Sequence, residues 1–480
     1  MKGANIHRFR GRQFRIRALT VAGPLVLLSG CATFSQDGGF DTVSQQVESR
    51  IGQKPAWHRS VEQQQSVAAS IEAMLAEPLS ADSAVRIALL NNPALQSSLA
   101  ELGIAEADLV QASRLRNPGF SYAKLKRGDE IEIERKITFD ILGLFTLPLR
   151  HQIETRRFEQ AKLQAAGSIL SVATETRNAY YRAIAAQQTE QYMEQVKETA
   201  EAGAELARRM AQVGNWSKLQ QAREQAFYAE ATTQLARARQ AAVSEREQLT
   251  RLLGLSGKQA PFKLPERLPE LPKAPREIAD LESQALKERL DVQAATFESA
   301  GIAKSLGLTK ATRFVNVLDF GVIRNSSNEA PRQTGYEIEL QIPLFDWGGA
   351  NVAKAEAIYM QSAYRLQEVA INARSEVRDA YHGYRTAFDV AKHYRDEIVP
   401  LRKLISEENL LRYNGMLIGV FELLADARAQ VVAVNSYIEA QRDYWIAETD
   451  LQTALSIKSP GAMKRMNTAM PAASGGAGGH

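Results

Sequence analysis

Few residues of this 480-residue chain are placed to do chemistry. Its six histidines, His7, His58, His151, His382, His393 and His480, are too scattered for a ligand set or a proton relay. No G-x-S-x-G, H-E-x-x-H or glycine-rich phosphate loop occurs, so an enzyme is not expected and no catalytic residue or cofactor is assigned. Met463, Met466, Met470 and His480 are soft donors of the type that suits Cu(I). They lie in a low-complexity tail ending "AASGGAGGH", and no metal site is assigned to them. What remains is one thiol, Cys31, and carboxylates in two patterns. Glu422 and Asp426 stand four apart, on one face of a helix. Glu130, Glu132, Glu134, Glu337 and Glu339 alternate with apolar residues.

Cys31 follows a basic stretch (Lys2 to Arg17, no acid) and eleven apolar residues, Ala18 to Leu28. That is the layout of a secretory signal, and the apolar run is too short to span a bilayer as a helix. "LSGC" resembles the lipobox of bacterial lipoproteins. By that resemblance residues 1–30 are a signal peptide, Cys31 is the lipidated first residue, and Ala32 beside it favours the outer membrane. Removing residues 1–30 takes away six basic residues and no acid, leaving 53 against 55 and a net charge of −2. The basic balance of the whole chain therefore gives no footprint for nucleic acid. No later stretch approaches 18 unbroken apolar residues.

Beyond an N-terminal anchor and extended segment (31–79), the chain reads as two repeats. Residues 149–260, 344–399 and 401–459 lack proline and are rich in Ala, Glu, Gln, Arg and Leu, which favour helix. "ETRNAYY" (Glu175 to Tyr181) matches "EVRDAYH" (Glu376 to His382) at an offset of 201, which also carries Gly214 onto Gly415. "IEIERKITFD" (Ile131 to Asp140) resembles "YEIELQIPLFD" (Tyr336 to Asp346), and "ALLNNPALQ" (Ala88 to Gln96) lines up with "ALKERLDVQ" (Ala285 to Gln293). The repeats are 80–257 and 277–458, joined by an extended connection, 258–276, that holds five prolines. A flexible tail, 459–480, follows.

Each repeat predicts helix, two strands, long helix, turn, helix. In the first, a helix runs from Ala81 to about Leu115, strands flank "RGDE" (Arg127 to Glu130), a helix follows Pro148 to about Gln212, and another returns to about Leu253. In the second, strands are expected at Phe314 to Arg324 and Tyr336 to Leu344. Period-two alternation gives each sheet one apolar and one polar face. If Ile131, Ile133, Ile338 and Ile342 face lipid, the five glutamates face a lumen, with Lys136, Lys124 and Arg135 available to neutralise it; Arg135 falls on the supposed lipid side. Membrane barrels begin at about eight strands and tolerate no open edge, so four strands require an oligomer sharing one barrel.

The signal-lipobox start, the duplicated layout, "ALLNNPAL", "PLFDWGG" (Pro343 to Gly349) and "RYNGMLIGVFELLADAR" (Arg412 to Arg428) together resemble the TolC-like outer-membrane efflux protein family, over residues 80–458. The chain departs from the pattern at "ERLD" (Glu288 to Asp291), where the family tends to have proline after the arginine. The resemblance implies a mainly α fold with a small β part: long antiparallel helical hairpins forming a periplasmic α-barrel, and four strands per chain in a shared outer-membrane β-barrel. It implies a homotrimer, a periplasmic adaptor, an inner-membrane efflux pump and passive conduction of what the pump delivers. It places Val213, Gly214, Asn215, Trp216, Ser217, Gly415, Met416 and Leu417 at tips that meet the adaptor; as glycines, Gly214 and Gly415 are expected at positive φ, which lets each long helix reverse. It places Glu422 and Asp426 at a periplasmic gate; Lys218, Gln221 and Arg223 stand at the corresponding place in the first repeat. If that pair is only surface charge, Arg428 is its expected ion partner. The alternative function is a lipid-anchored periplasmic coiled-coil scaffold without a pore, which has no need of the strands.

Overall fold

A computed structural model describes residues 33–458. Cys31, the signal segment, and Met463, Met466, Met470 and His480 lie outside the described residues. The chain divides into two compact units. One takes in the chain up to Gly39, Leu102–Glu159 and Phe297–Ala363; the other takes in Phe40–Glu101, Gln160–Thr296 and the chain from Tyr364.

The helices follow the proline and glycine punctuation, with instructive exceptions. After α1 (Phe40–Ile51) and α2 (Val61–Leu75), the helix expected over 81–115 is two helices, α3 (Ala81–Asn91) and α4 (Pro93–Ala112). Asn92 adopts an extended conformation between them, as a residue before proline prefers. Its Oδ1 accepts from Leu95 N, capping α4, and its Nδ2 donates to the carbonyl of Leu252. Strands β1 (Gly119–Arg127) and β2 (Glu130–Asp140) follow, then α5 (Ile141–Gln212). Helix α5 begins seven residues before the expected Pro148, because Asp140 Oδ1 accepts from Gly143 N and caps it there. The return helix is α6 (Lys218–Leu253).

The second half begins with α7 (Leu281–Glu288) and α8 (Leu290–Thr312), broken at Arg289 as α3 and α4 are broken at Asn92. No proline stands here. The break is held instead by the Arg289 side chain, which is buried and bonds Asp291, Glu376 and the carbonyl of Ala454. Strands β3 (Leu318–Ser327) and β4 (Gln333–Leu340) come next. Both bounds differ from expectation, and Ile342 and Leu344 fall beyond β4: Pro343 has no N–H for a ladder, and the chain turns, with Leu344 N donating to Ile342 O. Helix α9 (Gly349–His393) runs into a π-helical turn, Tyr394–Ile398, then α10 (Val399–Asn414) and α11 (Val420–Ser456). Pro400 explains the π turn. In a regular helix its ring would clash with the carbonyl of Asp396, and a π bulge relieves that by admitting one extra residue.

Within the second unit, the core packs α3, α5, α6 and α11 through Ile87, Ala179, Tyr180, Ile184, Leu249, Leu253 and Ile438. A neighbouring cluster packs α7, α9 and α11 through Ala285, Val377, Tyr384, Phe388 and Tyr444. The proline-rich connection is tied to these cores, not loose. Phe262, Leu268 and Leu271 are buried, Leu79 N donates to Lys263 O, and Trp445 Nε1 donates to Pro269 O. The two halves share two further contacts: Arg177 pairs with Asp82 and Arg378 with Glu282, each at 2.7 Å.

Candidate functional site

Two places gather the carboxylates singled out in the sequence. The first is the sheet of the first unit. It is antiparallel in the order β1-β2-β3-β4, with β2 pairing β3 so that the two hairpins join. Residues opposite one another share a face. One face carries the rows Phe120–Ile137–Val322–Tyr336, Phe139–Phe320–Ile338 and Leu318–Leu340. The other carries Glu130, Glu132, Glu134, Asp140, Asp319, Glu337 and Glu339, against Arg127 and Lys136. All five expected glutamates are therefore brought onto one face. Lys136 Nζ reaches across β3 to Glu337 Oε1 at 2.7 Å, and a Cβ on the intervening Gly321 would meet Lys136 Cε at 3.1 Å. Lys124 does not join them. With Arg135 it stands on the apolar face, so it cannot offset the acid face as expected. Phe120, Tyr336, Ile338 and Leu340 are exposed on the single chain.

The second place is the pair of helix reversals in the second unit. At the first, Gly214 takes φ 79°, Asn215 N donates to Met210 O, and Ser217 caps α6 in a reciprocal box with Gln220. Val213 is exposed and Trp216 half-buried. At the second, the expectation for Gly415 fails: its φ is −79°, and the left-handed residue is Met416, φ 59°. Leu417 N donates to Arg412 O, the same closure as at the first tip. Gly214 and Met416 are 202 apart, as are the caps Ser217 and Gly419, whereas Arg177 and Arg378 are 201 apart. The π turn lies between, and a π turn admits one extra residue, the same as the difference between the two spacings. Met416 and Leu417 are 93% and 77% exposed.

The shift re-pairs the acidic residues. At a spacing of 202, Glu422 falls on Gln220 and Asp426 on Glu224, whereas the sequence reading sets Lys218, Gln221 and Arg223 in that region. Glu224 is buried, its side chain 1% exposed, and accepts from Arg428 Nη2 at 2.9 Å. The Arg428 guanidinium also lies 4.4 Å from the Phe227 ring centroid. So Arg428 pairs with Glu224 rather than with Glu422 or Asp426. Glu422 is exposed in the first turn of α11, while Asp426 is buried with Oδ2 lacking a hydrogen-bond partner. Of the two, Asp426 has an acidic residue at that spacing and Glu422 does not.

No protein-family profile and no curated protein matches this sequence. Solved structures do. The Campylobacter jejuni CmeC outer membrane channel matches with a TM-score of 0.64, at 17% identity over 81% of this chain and 88% of that one. The Vibrio cholerae outer membrane protein VceC gives 0.66, at 14% identity over 79% and 96%. The open state of the Neisseria gonorrhoeae MtrE outer membrane channel gives 0.65, at 16% identity over 79% and 89%. This chain has the fold of the TolC-like outer-membrane channels.

Within that outer-membrane channel fold, several residues of this chain escaped the sequence reading. Glu224 and Phe227 gave no local signal: each sits in a charged, helix-favouring stretch like many others, and at Arg289 only the missing proline of "ERLD" stands out. Glu224 could have been found only by counting 202 back from Asp426.

Proposed function

We propose that the chain is the outer-membrane exit duct of a tripartite efflux system. It passively conducts what a periplasmic adaptor and an inner-membrane pump deliver. The observation that carries this is the sheet: four strands with an exposed apolar face, a carboxylate-lined opposite face, and unpaired outer edges on β1 and β4. Edges cannot remain open in lipid, so three chains close twelve strands, apolar face outward and acid face lining the lumen. Two internal repeats, 80–257 and 277–458, build each chain, supported by the matched breaks at Asn92 and Arg289 and the matched Arg177 and Arg378 pairs. Lipid on Cys31 adds a second membrane anchor. Val213, Gly214, Asn215, Trp216, Ser217, Gly415, Met416 and Leu417 meet the adaptor. Glu422 lines the periplasmic constriction, and Asp426 stands behind it.

Purified protein in a planar bilayer tests this directly. Discrete single-channel conductance is expected. Its absence from an assembled, lipidated preparation would leave the pore-less scaffold as the reading. Exchanging Glu422→Ala with Asp426→Ala is expected to raise resting conductance and weaken block by divalent cations.

A further inference from the structure

We propose that the outward face of the sheet carries a phosphate-binding row that holds a bisphosphorylated anionic lipid of the outer leaflet. The inference rests on the barrel reading, which turns this face toward lipid. The apolar face is not uniformly apolar. Its half nearest the helices holds the three hydrophobic rows described above. Its half nearest the hairpin turns holds Arg135 and Arg324 directly opposite each other, then Lys124 opposite Ile133, then Lys126 opposite Ile131. No carboxylate stands among the strand residues of this face, whereas seven stand on the other. Opposed like charges destabilise a strand pair, and two guanidiniums side by side are stabilised when one anion lies between them. On this face Arg135 makes a long hydrogen bond, 3.5 Å from Nη1 to Ser326 Oγ. Lys124, Lys126 and Arg324 are exposed.

Depth completes the argument. Arg or Lys at the lipid midplane of a barrel is costly, and the cost falls away near the interface. These four cations cluster toward the end of the strands away from the helices, where headgroups lie if the helices are periplasmic. Arginine suits phosphate through paired N–H donors, and lysine adds point charge. A lipid with two phosphates matches a site with two cationic parts, the arginine pair and the lysine pair. A zwitterionic headgroup does not.

The test uses the assembled, full-length protein in detergent, titrated with bisphosphorylated lipid A and with the same lipid A stripped of both phosphates, read by native mass spectrometry. The parent is expected to hold the phosphorylated lipid selectively. Arg135→Gln with Arg324→Gln is expected to weaken that binding about tenfold, the loss of charge-assisted bonds, while Arg135→Lys with Arg324→Lys keeps most of it. Lys136→Gln, on the opposite face, is expected to leave binding of the phosphorylated lipid unchanged. Equal binding of the two lipids by the parent, or undiminished binding by the double glutamine variant, overturns the proposal. Should that variant fail to assemble, Lys124→Gln with Lys126→Gln takes its place, and undiminished binding overturns the proposal equally. Bilayer conductance on the same preparations separates the two readings: conduction without lipid preference removes the phosphate row alone, and a parent that never conducts removes the barrel and the row together.

Discussion

A methionine with positive φ is the sharpest single-residue feature. A left-handed conformation costs a non-glycine residue about 1 kcal/mol or more, and such strain persists where the surroundings enforce it. Met416→Gly is therefore expected to stabilise the protein by about 1 kcal/mol while weakening adaptor crosslinking, because it also removes an exposed apolar side chain. Gly214→Ala should cost about 1 kcal/mol, and Gly415→Ala should be nearly neutral, since only the former sits at positive φ. Denaturant unfolding of the assembled protein separates the three. Asp450 offers a pH test. Burial raises its carboxyl above the ordinary value of 3.8, against the bond from Asn178 and the charge of Arg182, which lower it. A carboxyl raised on folding penalises the native state once ionised. That penalty is absent below the ordinary value and complete above the raised one. Asp450→Asn can keep the Asn178 bond, so its Tm should exceed the parent's at pH 7.5, and the gain should vanish as pH falls toward 3.8.

At the scale of elements, the π turn and Pro400 form a coupled pair. Deleting Glu397 alone returns the spacing to 201 but forces Pro400 into a regular helix, at a cost of about 3 kcal/mol. Combining the deletion with Pro400→Ala is expected to recover most of that loss. Additive effects of the two changes in thermal unfolding would show that the proline does not cause the bulge. The same element explains what the sequence concealed. Helices, hairpins and the first tip were legible because proline, glycine and period-two alternation mark them. At the second tip only the left-handed residue was misplaced, by one, because Gly415 mimics Gly214 and a π turn inside a helix leaves no loop behind. The break at Arg289 was only half legible: "ERLD" stands out as lacking the proline that the resembling family tends to have, but not as a buried arginine that holds Asp291, Glu376 and a carbonyl in its place. Arg289→Met should cost roughly 3–5 kcal/mol, since it strands two carboxylates beside an apolar side chain.

For the whole assembly, the acid face sets a selectivity. If the proposed barrel closes with this face inward, seven carboxylates against two cations in each chain line a lumen that attracts cations. Reversal potentials under a salt gradient should show cation preference, and Lys136→Gln should strengthen it by releasing Glu337. Anion preference would count against that lumen. Screening predicts that the preference shrinks as ionic strength rises.

The extra residue near Pro400 also bears on ancestry. On the two-repeat reading, an ancestral half was copied and the copies then diverged by a single codon gained or lost. Straightforward comparison of the halves assigns that event to the glycine at the tip, where loops usually accept it. On that reading the scar lies about twenty residues upstream, in the helix between Tyr394 and Ile398. On the same reading, a codon tolerated there would have rotated all the later residues against their old partners, and so given one hairpin tip a surface its twin never had.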